Sequence, residues 1–269
     1  MAAIVEPLES EEQGRGEYRA PAAEKALDIL EFMADQAIGL TQTEISAGLG
    51  RSIHEIYRIL HLLERRGYLV RTRADRYRLS LKLFELAHMH PPVNRLVESA
   101  LPVMRQLAAD TDQSCHLVVL NGLHVLVVLQ IDSPLPMRYS VALGSQFPIL
   151  ETSSGAVLLA AAEPADRERI VGQILASGEA GDTRQAIEAR LDEARALGHE
   201  VHASLAVAGC TNLSLPVFDH TGRAVAALTV PFLPQKAARF DQETVFSRAE
   251  RAAERISAAL GAGEPGTSG

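Results

Sequence analysis

Four residues of this 269-residue chain are of types that could do chemistry together. Cys210, His202 and Asn212 offer a thiol, an imidazole and an amide, the groups that a nucleophile, its base and an orienting residue need. His199, His202 and Cys210 could instead bind zinc, although their spacing matches no standard zinc pattern. No oxyanion motif or nucleophile elbow accompanies the thiol, and a lone cysteine in an apolar stretch is usually a small buried hydrophobe. The sequence predicts no catalytic residue, no metal and no cofactor; a Cys/His-dependent hydrolase or a zinc-binding protein is the alternative.

A basic segment between Thr41 and Lys82 points to different chemistry. It holds nine Arg and Lys residues against four acidic ones, whereas the whole chain carries a net charge of −8. A small basic module in an acidic chain is the asymmetry that contact with phosphates requires. This distribution favours a nucleic-acid partner.

Capping signals divide the same segment into helices. Thr41 followed by Glu44, and Ser52 followed by Glu55, are capping boxes that predict two helix starts. The glycines between the two helices suit a tight turn, and Gly67 would end the second helix. With an earlier helix from Pro21, these elements predict a helix-turn-helix.

The second of these helices and the chain after it would form the surface that contacts the bases and phosphates of the nucleic acid, here called the reading surface. Residues 68–72 and 76–79 mix apolar and basic side chains around a polar turn, which predicts a two-stranded wing. Arg58 suits bidentate hydrogen bonds to guanine, and the other members suit bases, phosphates or the minor groove. The predicted DNA-binding residues are Arg51, Ser52, His54, Tyr57, Arg58, Arg71, Arg73 and Arg76. A winged-helix module that docks a protein is the alternative.

The rest of the chain predicts an α+β domain on an antiparallel sheet. The predicted strands are His116–Leu120, Val125–Ile131, Met137–Ala142, His199–Leu205, Thr211–Phe218 and Ala224–Val230. The predicted helices are Val93–Asp110, Ser153–Ala162, Ala165–Ala176, Thr183–Leu197 and Asp241–Leu260. Residues 88–93 are predicted to form a junction, because the pair Pro91-Pro92 ends any preceding helix.

Five segments resemble the IclR family of transcriptional regulators, in the right order between Pro21 and Leu260. They are Glu24–Leu30, Tyr57–Leu60, Arg65–Leu69, Leu143–Pro148 and Val225–Val230. The resemblance implies a winged helix-turn-helix, a linker helix and a GAF-like effector domain. It also implies a homodimer or tetramer that binds double-stranded operator DNA, acts as a repressor and responds to a small-molecule effector. The implied organisation is a disordered arm at 1–20, the DNA-binding domain at 21–82, a linker at 83–110, the effector domain at 111–260 and a flexible tail at 261–269.

The resemblance further implies an effector pocket. Its residues would be Tyr139, Phe147, Ser153, Ser154, His202, Cys210, Asn212, Thr229 and Pro231. Hydroxyls and free N–H groups at a helix N-terminus suit a carboxylate, so we expect a hydroxylated carboxylate as effector. The chain lacks the His and Lys that family members often carry within the stretch 148–156, and it has His202 where acidic residues are common.

Sequence composition also bears on location. No run of about 18 apolar residues could cross a membrane, and the acidic N-terminus lacks the apolar core of a signal peptide. The sequence therefore predicts a cytoplasmic protein without a membrane partner.

Overall fold

The computed structural model describes residues 20–88, 91–178, 181–204, 207–236 and 239–263. Its contacts separate into two compact units that divide between Pro91 and Pro92. Residues 1–19 of the predicted arm and residues 264–269 of the predicted tail lie outside the described residues, as does Leu205. In the described part of the chain, no helix is both long and apolar enough to span a membrane.

The first unit packs helices around a small apolar core and a two-stranded sheet. Its elements are α1 (Pro21–Ala34), α2 (Gln42–Gly48), α3 (Ile53–Arg65), β1 (Leu69–Arg71), β2 (Tyr77–Leu79) and α4 (Lys82–His88). Both capping boxes are confirmed: the Thr41 and Ser52 side chains accept from the N–H groups of Glu44 and Glu55, whose carboxylates bond back. The core holds Ile29, Ile45, Ile56, Leu60 and Leu69, all essentially inaccessible to solvent.

The second unit is a six-stranded antiparallel sheet with helices on both faces. Its elements are α5 (Pro91–Thr111), β3 (Cys115–Asn121), β4 (His124–Ile131), β5 (Gln146–Pro148), a 3₁₀ turn (Ile149–Glu151), α6 (Ser153–Ala160), α7 (Pro164–Ser177), α8 (Arg184–Leu197), β6 (Glu200–Ala203), β7 (Thr211–Phe218), β8 (Ala224–Phe232) and α9 (Gln242–Ala259). The strand order is β5-β4-β3-β8-β7-β6, and neighbouring strands are antiparallel.

Strand alternation decides which side chains face which helices. Cys115, Leu117 and Leu228 join a core cluster with residues of α5 and α9. Val118 and Ala227 join a second cluster with residues of α6, α7 and α8. Because successive strand residues point to opposite faces, the residues between those of the first cluster lie on the α6 face.

Two sequence predictions about elements are wrong. Residues 137–142 form no strand, because Asp132 draws this segment back: it accepts from the Ser140 hydroxyl at 2.7 Å and pairs with Arg138 at 3.1 Å. The edge strand is β5, which pairs with β4. The junction predicted at residues 88–93 is wrong from Pro91 on, because Pro91 and Pro92 begin α5, whose first turn needs no N–H donor and tolerates proline. The preceding helix, α4, does end before the proline pair, at His88.

Gly155 lets α6 lie against the 3₁₀ turn, and its replacement tests this packing. A Cβ at Gly155 would stand 2.1 Å from the Ile149 carbonyl oxygen, so Gly155→Ala should destabilise the fold by at least about 1–3 kcal/mol. Gly172→Ala, in α7, is the control. Its Cβ would meet only the Arg184 side chain at 3.9 Å, so this change should be neutral or stabilise by up to about 1 kcal/mol. Urea denaturation measures both; equal stability of the two variants would contradict the packing.

Candidate nucleic-acid interface and ligand site

Helix α3 presents a polar face to solvent along its first two turns. His54, Tyr57 and Arg58 are exposed, while Ile56 and Ile59 on the opposite side are buried. The Tyr57 ring packs edge-on against His61 with centroids 4.7 Å apart, which orients it although half of its surface is exposed. Among the described residues, Arg58 has no ion-pair partner. Its guanidinium is therefore available to an external acceptor.

Three other predicted DNA-binding residues already have partners within the first unit. Ser52 caps α3, and its backbone N–H holds the pKa of Glu55 at about 2, with help from its hydroxyl and from Lys25. Arg51 pairs with Asp28 at 2.5 Å. Arg71 pairs with Asp75 and lies over the Tyr77 ring, 5.5 Å from its centroid.

Arg76 is held by the fold in the same way. Its guanidinium donates to the Gly39 carbonyl at 2.7 Å and to the Glu44 carboxylate at 3.0 Å. It thereby ties the start of β2 to the capping box of α2. Arg73, at the wing turn, is exposed and has no ion-pair partner among the described residues. Arg58 and Arg73 are thus the predicted arginines that remain available.

On the α6 face of the second unit, three buried hydroxyls form a chain. The Ser153 Oγ lies 2.8 Å from the Ser214 Oγ, which lies 2.8 Å from the Thr229 Oγ1. Ser153 begins α6, so this chain fixes the N-terminus of the helix over β7 and β8. Thr152 caps the N–H of Gly155, whereas the N–H groups of the first helical residues, Ser153 and Ser154, have no intrahelical acceptor.

Strand register extends these hydroxyls into a polar row across the sheet. Directly paired residues, from β4 to β6, are Gln130, His116, Thr229, Ser214 and Glu200. We call these five residues the polar row. Its first two members are unusual, because the His116 Nδ1 and the Gln130 Oε1 are buried and find no hydrogen-bond partner in the described part of the chain. Burial lowers the pKa of His116 to about 4, so the imidazole is neutral near pH 7.

Sequence reasoning missed His116, Gln130 and Ser214. Each is a polar residue flanked on both sides by apolar residues of its strand. That alternation was the available signal, but the partners across the sheet depend on register.

The other predicted effector residues lie on the same face at different distances from α6. Asn212 pairs in register with Pro231 on one side and with His202 on the other. Cys210 is buried, which raises its thiol pKa, and its Sγ is 4.0 Å from the Asn212 Oδ1. His202 is exposed, with its Nδ1 2.6 Å from the Ala203 carbonyl oxygen.

The aromatic members differ in position: Tyr139 lies near enough to Cys210 for the two groups to interact electrostatically, whereas Phe147 lies apart. Tyr139 packs against the cluster beside α6, and burial raises its pKa. Phe147 lies on β5, opposite Val125 and 38% exposed. Phe147 and His202 occupy the two edge strands, so the width of the sheet separates them.

Two surface cavities lie outside the predicted effector residues. One, of about 540 Å³, is lined by residues including His199, Phe246 and Glu250, and the other, of about 270 Å³, by residues including Val157 and Pro216. Within the described ranges, no three His, Cys, Asp or Glu side chains are placed to hold a metal ion together.

A winged helix-turn-helix with available arginines, carried in one chain with a polar-lined α+β unit, defines the class of DNA-binding regulators that have a ligand domain. Two family models match the chain: bacterial transcriptional regulator IclR C-terminal over residues 93–258, and IclR helix-turn-helix domain over residues 22–73. The chain belongs to the IclR family of transcriptional regulators.

Individual proteins agree with this assignment. The HTH-type transcriptional regulator KdgR of Escherichia coli is 29% identical over 88% of this chain and 91% of its own length. The HTH-type transcriptional repressor AllR of Klebsiella pneumoniae is 24% identical, with 90% of each chain covered. An IclR homolog from Microbacterium hydrocarbonoxydans, solved with 4-hydroxybenzoate, superposes with a TM-score of 0.72 at 22% identity, over 89% of this chain and 98% of that one.

These findings confirm the predicted family, the fold class and a DNA-binding transcriptional regulator. They give no support to the hydrolase or zinc alternative. The bounds predicted for the functional domains and the individual site residues stay predictions.

Two of the wing arginines, Arg73 and Arg76, should behave differently when replaced. Arg73→Ala should weaken binding to every DNA sequence alike and reduce the salt slope by about 1, as expected for the loss of the phosphate contact predicted for this side chain, with no change in Tm. Arg76→Ala should lower the Tm, because it removes the donor of the hydrogen bonds to the Glu44 carboxylate and the Gly39 carbonyl. Salt-dependent fluorescence anisotropy and thermal melts separate the two effects. A lowered Tm in Arg73→Ala together with an unchanged Tm in Arg76→Ala would contradict the roles assigned to these two arginines.

Proposed function

We propose that α3 reads operator bases chiefly through Arg58, with His54 and Tyr57 beside it and Arg73 on a neighbouring phosphate. The support is the exposure of these side chains on one face of a helix whose other face is buried, together with the availability of both guanidinium groups. An arginine at this place in a recognition helix matches the bidentate geometry of the guanine O6 and N7 atoms. Arg51, Arg71 and Arg76 then support the surface from within the fold.

We also propose that the chain binds DNA as a homodimer or tetramer and acts as a repressor. One helix-turn-helix reads one half-site, and specific binding commonly uses a pair related by two-fold symmetry. Apolar side chains around α4, including Leu81, Leu83 and Leu86, are exposed in the isolated chain and offer surface for a second copy. The repressing direction follows AllR, whose name states that role.

Replacement of Arg58 tests the reading surface. Arg58→Ala should cost about 1–3 kcal/mol at the cognate site and relax the preference at one base pair. Arg195→Ala, which removes one exposed positive charge from α8 in the second unit, is the matched control and should bind as the parent does. Mobility shifts and footprints on the protein's own upstream region measure both, and the protected site should be a pseudo-palindrome. Full affinity of Arg58→Ala, or protection of one asymmetric half-site by a monomer, would contradict the proposal.

For the effector, we propose a small hydroxylated carboxylate bound at the N-terminus of α6. The observation that carries this is the pairing of two N–H groups that lack intrahelical acceptors, those of Ser153 and Ser154, with the buried hydroxyls next to them. Helix N-terminal N–H groups and the helix dipole favour an anion. The ligand of the Microbacterium homolog, 4-hydroxybenzoate, belongs to the same chemical class.

Regulation requires that the acid bind the DNA-competent and DNA-released states differently. We expect at least one hydroxylated carboxylate to weaken operator binding tenfold or more. The primary amide of the same acid should leave operator affinity unchanged, because it lacks the charge that the N-terminus of α6 stabilises. Calorimetry measures the binding of sugar acids, hydroxy acids, aromatic acids and acyl thioesters, and mobility shifts measure their effect on operator binding. Tight binding of an uncharged ligand, unchanged in Ser154→Ala and Asn212→Ala, would contradict the carboxylate site.

We infer no enzymatic role for the thiol. Burial raises the pKa of Cys210, which disfavours the thiolate that a nucleophile requires. A regulator of chromosomal operators is expected to act in the cytoplasm.

A further inference from the structure

At one end of the polar row, two buried side chains are not satisfied by the hydrogen bonds of the hydroxyl chain. Ser153, Ser214 and Thr229 satisfy one another. His116 and Gln130 continue the row, yet one polar atom of each is buried without a partner. A buried unsatisfied group lowers the free energy of unfolding by about 1–3 kcal/mol, so such groups are rare in folded proteins and often have a functional reason.

The orientation of the Gln130 amide is fixed by its neighbours. Its Nε2 donates to the Ile131 carbonyl oxygen and to the Asp132 carboxylate, both at 3.2 Å. A flipped amide would place its oxygen against these two acceptors. The buried Oε1 therefore remains an acceptor that needs a donor from outside the side chains around it.

His116 faces Gln130 directly across β3 and β4, where paired side chains lie about 4.5–5.5 Å apart at Cβ. A neutral imidazole presents either an N–H or a lone pair at Nδ1. In the tautomer with a proton at Nδ1, one hydroxyl group can accept from the His116 Nδ1–H while it donates to the Gln130 Oε1. A carboxylate cannot, because it brings no donor and would be a buried charge beside an acceptor.

The distance along the row sets where that hydroxyl belongs on a ligand. Ser153 fixes the N-terminus of α6 over Ser214 on β7, and His116 and Gln130 lie two and three strands away. At about 4.8 Å per strand, the backbones are roughly 10–14 Å apart, and side chains reach inward from both ends. A hydroxyl on the carbon next to the carboxylate would not reach His116.

We infer that His116 and Gln130 are specificity-determining residues of the effector site, and that they bind a hydroxyl carried at the end of the acid remote from its carboxylate. This inference rests on the proposed carboxylate site at α6. It adds the identity and the position of the second polar group of the effector.

Matched acids test the inference on the full-length protein. The probes are benzoate with its 2-hydroxy and 4-hydroxy derivatives, and pentanoate with its 2-hydroxy and 5-hydroxy derivatives. The parent should bind the remote hydroxy acid of at least one series ten or more times more tightly than both the plain acid and the 2-hydroxy isomer. Calorimetry measures this ratio, and mobility shifts on operator DNA show that each variant still binds DNA without acid.

His116→Leu and Gln130→Leu should each bring the ratio to within about threefold of one and leave affinity for the plain acid unchanged or higher. Both variants should fold, because each introduces an apolar side chain of similar size. The Tm of His116→Leu should not fall, whereas Gln130→Leu also loses the two hydrogen bonds that its Nε2 donates and should melt at a somewhat lower temperature. Gln146→Leu, on the exposed edge strand β5 and outside the polar row, is the control and should keep the parent ratio.

Four results would overturn the inference, and they are distinguishable. A parent that binds plain and remote hydroxy acids equally, or a ratio that survives in both leucine variants while the Tm of His116→Leu is unchanged, contradicts this inference and leaves the carboxylate site intact. A ratio that survives in both variants together with a lowered Tm of His116→Leu would show that His116 and Gln130 bind each other and not a ligand. A parent that binds no acid in either series removes the inference together with the carboxylate proposal, while operator binding still stands by itself.

Discussion

The hydrogen bonds from Ser153 through Ser214 to Thr229 are the interaction on which the proposed ligand site depends. They join the first residue of α6 to two central strands, and both oxygen–oxygen distances are 2.8 Å. In a buried place, three hydroxyls that satisfy one another avoid the cost of lost hydration and define one position for the helix. Gly155, the third residue of the same helix, allows the close approach to the Ile149 carbonyl that this position of the helix requires. The free N–H groups at the start of α6 are therefore presented from a rigid support, which a binding site needs.

The DNA-binding unit could be predicted closely because its signals are local. Thr41 with Glu44 and Ser52 with Glu55 are three residues apart, so each capping box is visible in the sequence and marks a helix start in the structure. Charge availability was not visible in the same way. In the sequence, nothing distinguishes Arg76 from the other wing arginines, because its partner Glu44 lies 32 residues earlier in the chain and is brought to it only by the fold. Local pattern gives the elements, and tertiary contacts decide which charges remain for a partner.

In the second unit, the elements were easier to predict than their pairing. Thr211–Phe218 is a strand with the same bounds in sequence and structure, since alternation is a property of the strand itself. The polar row could not be read in advance, because it requires the register of five strands that are far apart in the chain. The false strand at residues 137–142 has the same origin. Its apolar and polar residues alternate, but Asp132 binds Ser140 and Arg138 and so holds the segment in a loop.

An unsatisfied pair within a polar row differs in meaning from one in an apolar core. In an apolar core, an unsatisfied polar pair only lowers the stability of the fold, and replacement of the pair by apolar residues generally gives a more stable protein. At the end of a row that begins at a helix N-terminus, the same cost is relieved when a ligand supplies the missing donor. An analogue without the hydroxyl leaves the groups unsatisfied, and sites of this kind reject such analogues strongly. His116 and Gln130 therefore raise selectivity in proportion to what they cost the empty site, while affinity for the charged end is set at α6.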